Sequence, residues 1–274
     1  MDENVGLALA VTLIAGLATV VGSFIALVAT HTNRVFLSLA LGFSAGSMLY
    51  ISFMELLPQA LDQLGGDREG IPGVLIAFTC GAVVIALIDR IVPHFGNPHE
   101  NLSVESMSSS PNKSLYLSQS RLMRTASFVA VTVALHNFPE GIAAFVVTVD
   151  EPALGIALGL AIAVHNIPEG IAVSVPVYFA TGSRVKAFYY SALSGLAEPL
   201  GAILALVLLA PLITPSVMGI LLAAIAGVMV FIALDQMMPV ARDYGHPHLV
   251  IYGVIGGMFV MGISLYALSV SAVR

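Results

Sequence analysis

Long apolar runs follow one another along almost the whole chain. A bilayer-spanning helix needs about 20 mainly apolar residues, and runs of that length occur near 5–29, 35–57, 72–92, 126–149, 153–179, 187–212, 216–240 and 249–271. Most of the connections between them are short. The pattern predicts an all-α, polytopic membrane protein in which residues 1–274 form a single transmembrane domain of eight spans.

One connection is long. Residues 93–125 are polar, rich in serine and punctuated by prolines, which is typical of a flexible loop. The composition agrees with a membrane protein, because 58% of the residues are hydrophobic and only 9% are charged, against about a quarter in soluble domains. Cys80 is the one cysteine, which excludes a disulfide framework and a cysteine metal cluster. The acidic start "MDEN" predicts that the first run is a retained span and not a cleaved leader.

The basic residues predict the direction of the spans. If the N-terminus is outside, eight of the ten Lys and Arg residues fall in the inside flanks and loops, and only Arg68 and Arg274 are left outside. Cytoplasmic loops collect Lys and Arg. We therefore expect both termini to be extracytoplasmic and the long loop to be cytoplasmic.

Three pairs of spans resemble each other. Residues 16–27 and 195–206, in spans 1 and 6, match at six of twelve positions, and residues 45–58 and 226–239, in spans 2 and 7, match at five of fourteen. Spans 4 and 5 share "ALHNFPEGIAAF" (134–145) and "AVHNIPEGIAVS" (163–174). The members of each pair cross the membrane in opposite directions. Such inverted repeats are common in secondary transporters, where the substrate binds near the midplane.

Three carboxylates interrupt the apolar spans: Glu140, Glu169 and Glu198, near the middles of spans 4, 5 and 6. An ionisable group there costs about 2.5–3.5 kcal/mol on insertion scales, and these stretches contain no Lys or Arg. A bound cation would compensate the cost, and protonation of the carboxyls is the alternative.

The spacing favours a cation. Positions i and i+4 share a helix face, so His136 and Glu140 point the same way, with Asn137 one residue round. Span 5 repeats the set as His165, Asn166 and Glu169. Imidazole with carboxylate suits Zn²⁺, Fe²⁺ or Mn²⁺. We expect Pro139 and Pro168, each followed two residues later by glycine, to kink and open the helices beside these ligands.

These motifs resemble a known family. "HNFPEG" and "HNIPEG" on consecutive spans, with "SGLAEPLG" on span 6 and "SFMELLPQAL" on span 2, are similar to the ZIP (Zrt/Irt-like) metal transporters, and to the bacterial type in particular. The resemblance covers essentially the whole chain. It implies eight spans in a 3+2+3 arrangement with a dinuclear centre between spans 4, 5 and 6. One ion would be held by His136, Glu140, His165 and Glu169, and a second by Asn137, Asn166 and Glu198, with Glu140 and Glu169 bridging.

The resemblance also implies a function. A homodimer in the bacterial inner membrane would import Zn²⁺, Fe²⁺, Mn²⁺, Co²⁺ and Cd²⁺ by moving the bundle that contains spans 4 and 5, with no prosthetic group and no nucleic-acid partner. An intramembrane metalloenzyme is an alternative, but the H-E-x-x-H motif of zinc proteases is absent. A proton-coupled carrier of an organic solute is a third reading, and it predicts no metal dependence. The physiological metal and the energy source stay open at this point.

Some weaker candidates for the ion path lie outside these motifs. Glu55, near the outer end of span 2, could guide ions in, and Asp235, near the inner end of span 7, could receive them. An ordinary role as helix-end carboxylates is an equally good interpretation of both. Gln236 aligns with Glu55 in the repeat but is uncharged, which argues against a charged ligand at position 236. Met48 and Met229 are better interpreted as core packing than as soft ligands. His94, His99, His246 and His248 are better interpreted as solvated loop residues than as metal ligands.

Overall fold

A computed structural model describes residues 2–28, 34–66, 68–91, 114–209 and 214–272. These ranges contain helices and turns and no strand, so the predicted all-α class is confirmed for them. The helices are α1 (Asp2–Val28), α2 (Arg34–Ile51, continuing through Leu57–Gln63), α3 (Gly70–Ile91), α4 (Ser114–Asp150), α5 (Pro152–Thr181), α6 (Arg184–Gly195, then Ala197–Leu204), α7 (Pro215–Ile232, continuing through Met238–Asp243) and α8 (Pro247–Ala272).

Seven of these eight helices contain a segment long and apolar enough to cross a bilayer: Asn4–Val28, Arg34–Gln63, Gly70–Arg90, Pro152–Tyr178, Arg184–Val207, Pro215–Asp243 and Pro247–Tyr266. The predicted fourth span, 126–149, lies within α4. Large apolar side chains also face outward, among them Phe24 at 64%, Ile76 at 65% and Phe259 at 66% exposure. Such a surface suits lipid and not water, so the chain is a multi-pass membrane protein.

The predicted loop at 93–125 is too long at its C-terminal end. Residues 114–125 are the first turns of α4, while 92–113 lie outside the described residues. The serines of "SLYLSQSRLMR" suggested a loop, but the stretch from Ser114 contains no Gly or Pro and includes Leu, Gln, Arg and Met. These residues form helices readily.

The helices pack as two groups. One group contains α1, α4, α5 and α6, and the other contains α2, α3, α7 and α8. Contacts between the groups run chiefly from α2 and α8 to α5, and from α7 to α4. Most contacts of one repeat half have a counterpart in the other: α2 packs on α8 as α7 packs on α3, and α1 packs on α5 as α6 packs on α4.

Close backbone contacts follow the sequence repeat in detail. A Cβ on Gly22 of α1 would collide with the carbonyl oxygen of Ile167 on α5, and a Cβ on Gly201 of α6 would collide with that of Phe138 on α4. The two glycines are each the seventh residue of the matched stretches 16–27 and 195–206. The two carbonyls belong to the fifth residues of the matched stretches 163–174 and 134–145. Gly16 and Gly195, which are also matched, face each other's carbonyls. The repeat in sequence is thus a repeat in packing.

Two π-helical turns add to this correspondence. Ser52–Leu56 interrupts α2 and Ala233–Met237 interrupts α7, at the same positions of the matched stretches 45–58 and 226–239. Single π turns inside α-helices often occur at functional sites. Glu55 lies on the first turn, where it accepts a hydrogen bond of 2.7 Å from Gln59, and Asp235 lies exposed on the second.

Candidate metal centre

The histidines and glutamates of α4 and α5 pair across the two helices. Nε2 of His136 lies 2.9 Å from Oε2 of Glu169, and Nε2 of His165 lies 3.2 Å from Oε2 of Glu140. All four side chains are at most 1% exposed. The equivalence of the two bonds follows from the repeat, which places a histidine and a glutamate four residues apart on each helix.

The two asparagines are anchored in equivalent ways. Nδ2 of Asn137 donates to the carbonyl of Ser194 on α6 at 3.1 Å, and Nδ2 of Asn166 donates to that of Ala15 on α1 at 2.9 Å. Ser194 and Ala15 immediately precede the matched stretches of those helices. Because each amide nitrogen donates to the backbone, each Oδ1 is left free as an acceptor, and neither has a partner.

Glu198 breaks the equivalence. It is fully buried on α6, two residues after the break in the helix at Leu196, and it accepts a hydrogen bond from Nδ2 of Asn166. Pro199 follows it and has no N–H to continue the helical hydrogen bonding. The matched residue of α1 is Thr19, whose buried hydroxyl has no partner. The third carboxylate is therefore present on one side of the centre only.

All seven predicted ligands thus come together in contacts among α4, α5, α6 and α1. Six of the seven carry a buried side-chain nitrogen or oxygen that has no hydrogen-bond partner: His136, Asn137, Glu140, His165, Asn166 and Glu198. Buried polar atoms in proteins are nearly always paired. Among the described residues no group of three or more His, Cys, Asp or Glu side chains is arranged to hold a metal ion. Each imidazole Nε2 is instead hydrogen-bonded to a carboxylate, so coordination of a cation by either Nε2 would require that pair to separate.

The prolines and glycines act differently from the prediction. α4 continues through Pro139 and α5 through Pro168 as uninterrupted helices, so neither proline unwinds the helix that contains it. A Cβ on Gly141 would collide with the carbonyl of Glu198, and one on Gly170 with the carbonyl of Thr19. The glycines therefore bring α6 and α1 into backbone contact with the ligand-bearing turns.

One residue of the centre had no signal in the sequence. Oγ of Ser44, on α2, donates to Oε1 of Glu169 at 3.1 Å, and both side chains are fully buried. Ser44 lies among small residues, "LGFSAGSM", where a serine suggests helix packing. Met48 and Met229 lie in the apolar core, as the packing interpretation predicts. His246 and His248 lie at the start of α8, and His94 and His99 are outside the described residues.

Sequence comparison decides the family. The profile of the ZIP zinc transporter family matches residues 3–120 and 99–265, which together span most of the chain. The chain belongs to the ZIP zinc transporter family. The predicted resemblance is therefore confirmed, and a member of this family is a transporter and not an enzyme.

Several curated ZIP proteins are similar over nearly their full length. The zinc transporter ZupT of Oceanobacillus iheyensis is 51% identical over 270 residues, covering 97% of this chain and 100% of that protein. ZupT of Chlorobium limicola is 48% identical with the same coverage. ZupT of Nitratidesulfovibrio vulgaris is 50% identical over 271 residues, covering 96% of this chain and 98% of that protein. These likenesses confirm the predicted resemblance to the bacterial type.

Proposed function

We propose that this protein imports zinc and other divalent transition metals into the cytoplasm through a dinuclear centre between α4, α5 and α6. The metal ions are its substrate. The observation that carries the proposal is the concentration of unpartnered buried nitrogen and oxygen atoms on six residues that surround Glu169: His136, Asn137, Glu140, His165, Asn166 and Glu198. Three carboxylates meet there, and the spans around them contain no Lys or Arg to neutralise them.

The donor set supports transition metals. Imidazole nitrogen together with carboxylate and amide oxygen suits Zn²⁺, Fe²⁺, Mn²⁺, Co²⁺ and Cd²⁺, whereas Mg²⁺ and Ca²⁺ prefer oxygen ligands only. One ion would take His136, Glu140, His165 and Glu169, and a second would take Asn137, Asn166 and Glu198. Glu140 and Glu169 would bridge the two. The relatives named zinc transporter support zinc as a principal substrate.

The two packing groups support a mechanism of alternating access. The proposed centre belongs to the group of α1, α4, α5 and α6. This group contacts the other chiefly through two of its four helices, α4 and α5. Movement of this group against α2, α3, α7 and α8 would expose the centre to each side in turn. The repeat in packing supports the 3+2+3 arrangement, in which α1–α3 and α6–α8 are inverted copies around α4 and α5. Residues 1–274 would then be one transmembrane domain, assembled as a homodimer in the bacterial cytoplasmic membrane.

Counterflow of radioactive zinc into proteoliposomes tests the function. We expect liposomes that contain the protein and are preloaded with unlabelled zinc to accumulate label, and iron, manganese, cobalt and cadmium to compete while magnesium and calcium do not. Protein-free liposomes are the control, and the assay at two pH values reports proton coupling. Accumulation no greater than in protein-free liposomes would refute the proposed transport.

Cysteine labelling tests the orientation. In a Cys80→Ser background, we expect Glu69→Cys, which is exposed between α2 and α3, to react with a membrane-impermeant maleimide in intact cells. Lys186→Cys, exposed at the start of α6, should react only after permeabilisation, because the distribution of Lys and Arg puts it in the cytoplasm. The opposite pattern would place the N-terminus inside.

A further inference from the structure

The two proposed bridging carboxylates have different partners. Oε2 of each glutamate pairs with a histidine, Glu140 with His165 and Glu169 with His136. Oε1 of Glu140 has no partner, whereas Oε1 of Glu169 accepts the hydrogen bond from Ser44. One carboxylate thus has a free oxygen, and the other has both oxygens engaged by the protein.

The difference comes from a single position of the repeat. Ser44 immediately precedes the matched stretch of α2, and Ile225 immediately precedes that of α7. Both side chains are buried, Ser44 at 0% and Ile225 at 4% exposure, and α2 packs on α5 as α7 packs on α4. An isoleucine has no donor, so α7 cannot offer Glu140 the bond that α2 gives to Glu169.

The bond of Ser44 also joins the two packing groups. Glu169 lies on α5, in the group that carries the centre, and Ser44 lies on α2, in the other group. A hydrogen bond to an ionised carboxylate stabilises it and makes the oxygen that accepts the bond a weaker ligand than a free oxygen. Oε1 of Glu169 therefore binds an ion against competition from Ser44, and ion binding there would weaken a polar contact between α2 and α5.

We propose that Ser44 is a positioning residue that sets the order in which the centre fills. The first ion binds through the free oxygen of Glu140. Glu169 completes the centre in competition with Ser44, so that occupancy by the second ion is coupled to the loosening of the contact between α2 and α5. This inference rests on the proposed dinuclear function and adds to it the order of filling and the residue that sets it.

Zinc titration of the purified full-length protein tests the order. In wild type we expect two zinc ions per chain, the second bound more weakly than the first. In Ser44→Ala the dissociation constant of the second ion should fall about fivefold, the factor that corresponds to about 1 kcal/mol, the net contribution of a typical hydrogen bond. The first ion should bind as in wild type. A merely structural role of Ser44 predicts the opposite sign, because a loosened centre binds zinc more weakly.

Two further variants sharpen the test. Ile225→Ser offers Glu140 a hydroxyl at the equivalent position, and it should weaken the first ion by a similar factor. Ser47→Ala removes a buried hydroxyl of the same helix that has no hydrogen-bond partner, and its titration should match wild type. Second-ion binding in Ser44→Ala that is equal to or weaker than wild type would overturn the order of filling, as would an unchanged first ion in Ile225→Ser. Absence of zinc binding by the wild type would instead refute the proposed function itself.

Discussion

Replacement of Glu140 by alanine should lower the initial rate of zinc uptake about a hundredfold or more. The carboxylate is fully buried and has one oxygen on His165 and the other free, so its loss removes a ligand that faces both proposed ions. Loss of an outer-shell partner of a metal ligand typically costs about 10–100-fold in metal affinity or activity, and loss of the ligand itself should cost at least as much. Uptake of radioactive zinc into proteoliposomes of equal protein content measures the effect.

Two variants separate this effect from a general loss of structure. Glu140→Gln keeps the size of the side chain and removes its charge, and it should be nearly as inactive as Glu140→Ala. Glu151→Ala removes an exposed glutamate at the start of α5 that makes no side-chain cap, and it should transport at the wild-type rate. Wild-type transport by Glu140→Ala would remove this residue from the metal centre.

Replacement of Gly141 by alanine should destabilise the protein, although alanine is the better helix former. A Cβ there would collide with the carbonyl of Glu198, and a backbone oxygen cannot rotate away as the end of a flexible side chain can. Overpacking of this kind costs about 1–3 kcal/mol, and a collision with a backbone atom belongs to the upper part of this range, which exceeds the helix-propensity gain of about 1 kcal/mol. α6 would be pushed away from α4, and Glu198 would move with it. Unfolding in mixed detergent should therefore begin at lower denaturant, and zinc uptake should fall.

Gly256→Ala is the matched control for this substitution. Gly256 also lies within a helix, α8, but a Cβ there would meet nothing within 4 Å. The same change of residue should therefore stabilise the protein slightly, so the two variants are expected to differ in sign. If Gly141→Ala unfolded no earlier than wild type, the close packing of α4 on α6 would not have the role assigned to it.

The spans and the buried polar cluster could be predicted from sequence because both leave repeated signals. An apolar run of span length is a direct consequence of the bilayer, and the two copies of the His-Asn-Pro-Glu-Gly motif identify Glu140 and Glu169 by their exceptional cost in lipid. The internal repeat could also be predicted from sequence. Gly22 and Gly201 pack on equivalent carbonyls, and this packing requires glycine at the same position of both copies.

Other features leave no such signal. A glycine shows that a side chain is absent but does not show which neighbour fills the space, so Gly141 and Gly170 suggested flexibility where the structure uses them for close contact. Ser44 is one small residue among many, and only the packing of α2 on α5 brings it to Glu169. The π turns at Ser52–Leu56 and Ala233–Met237 change the helical hydrogen bonding over five residues each, without any change in apolar pattern.

The central claim is that the paired His, Asn and Glu residues of α4, α5 and α6 hold the transported metal, and X-ray absorption spectroscopy of zinc bound to the purified protein tests it most directly. We predict nitrogen and oxygen ligands at about 2.0–2.2 Å, including imidazole, and no sulfur. The imidazole contribution should be lost in the double variant His136→Ala, His165→Ala. A sulfur ligand at about 2.3 Å, or a spectrum unchanged in the double variant, would place zinc elsewhere and contradict the assignment.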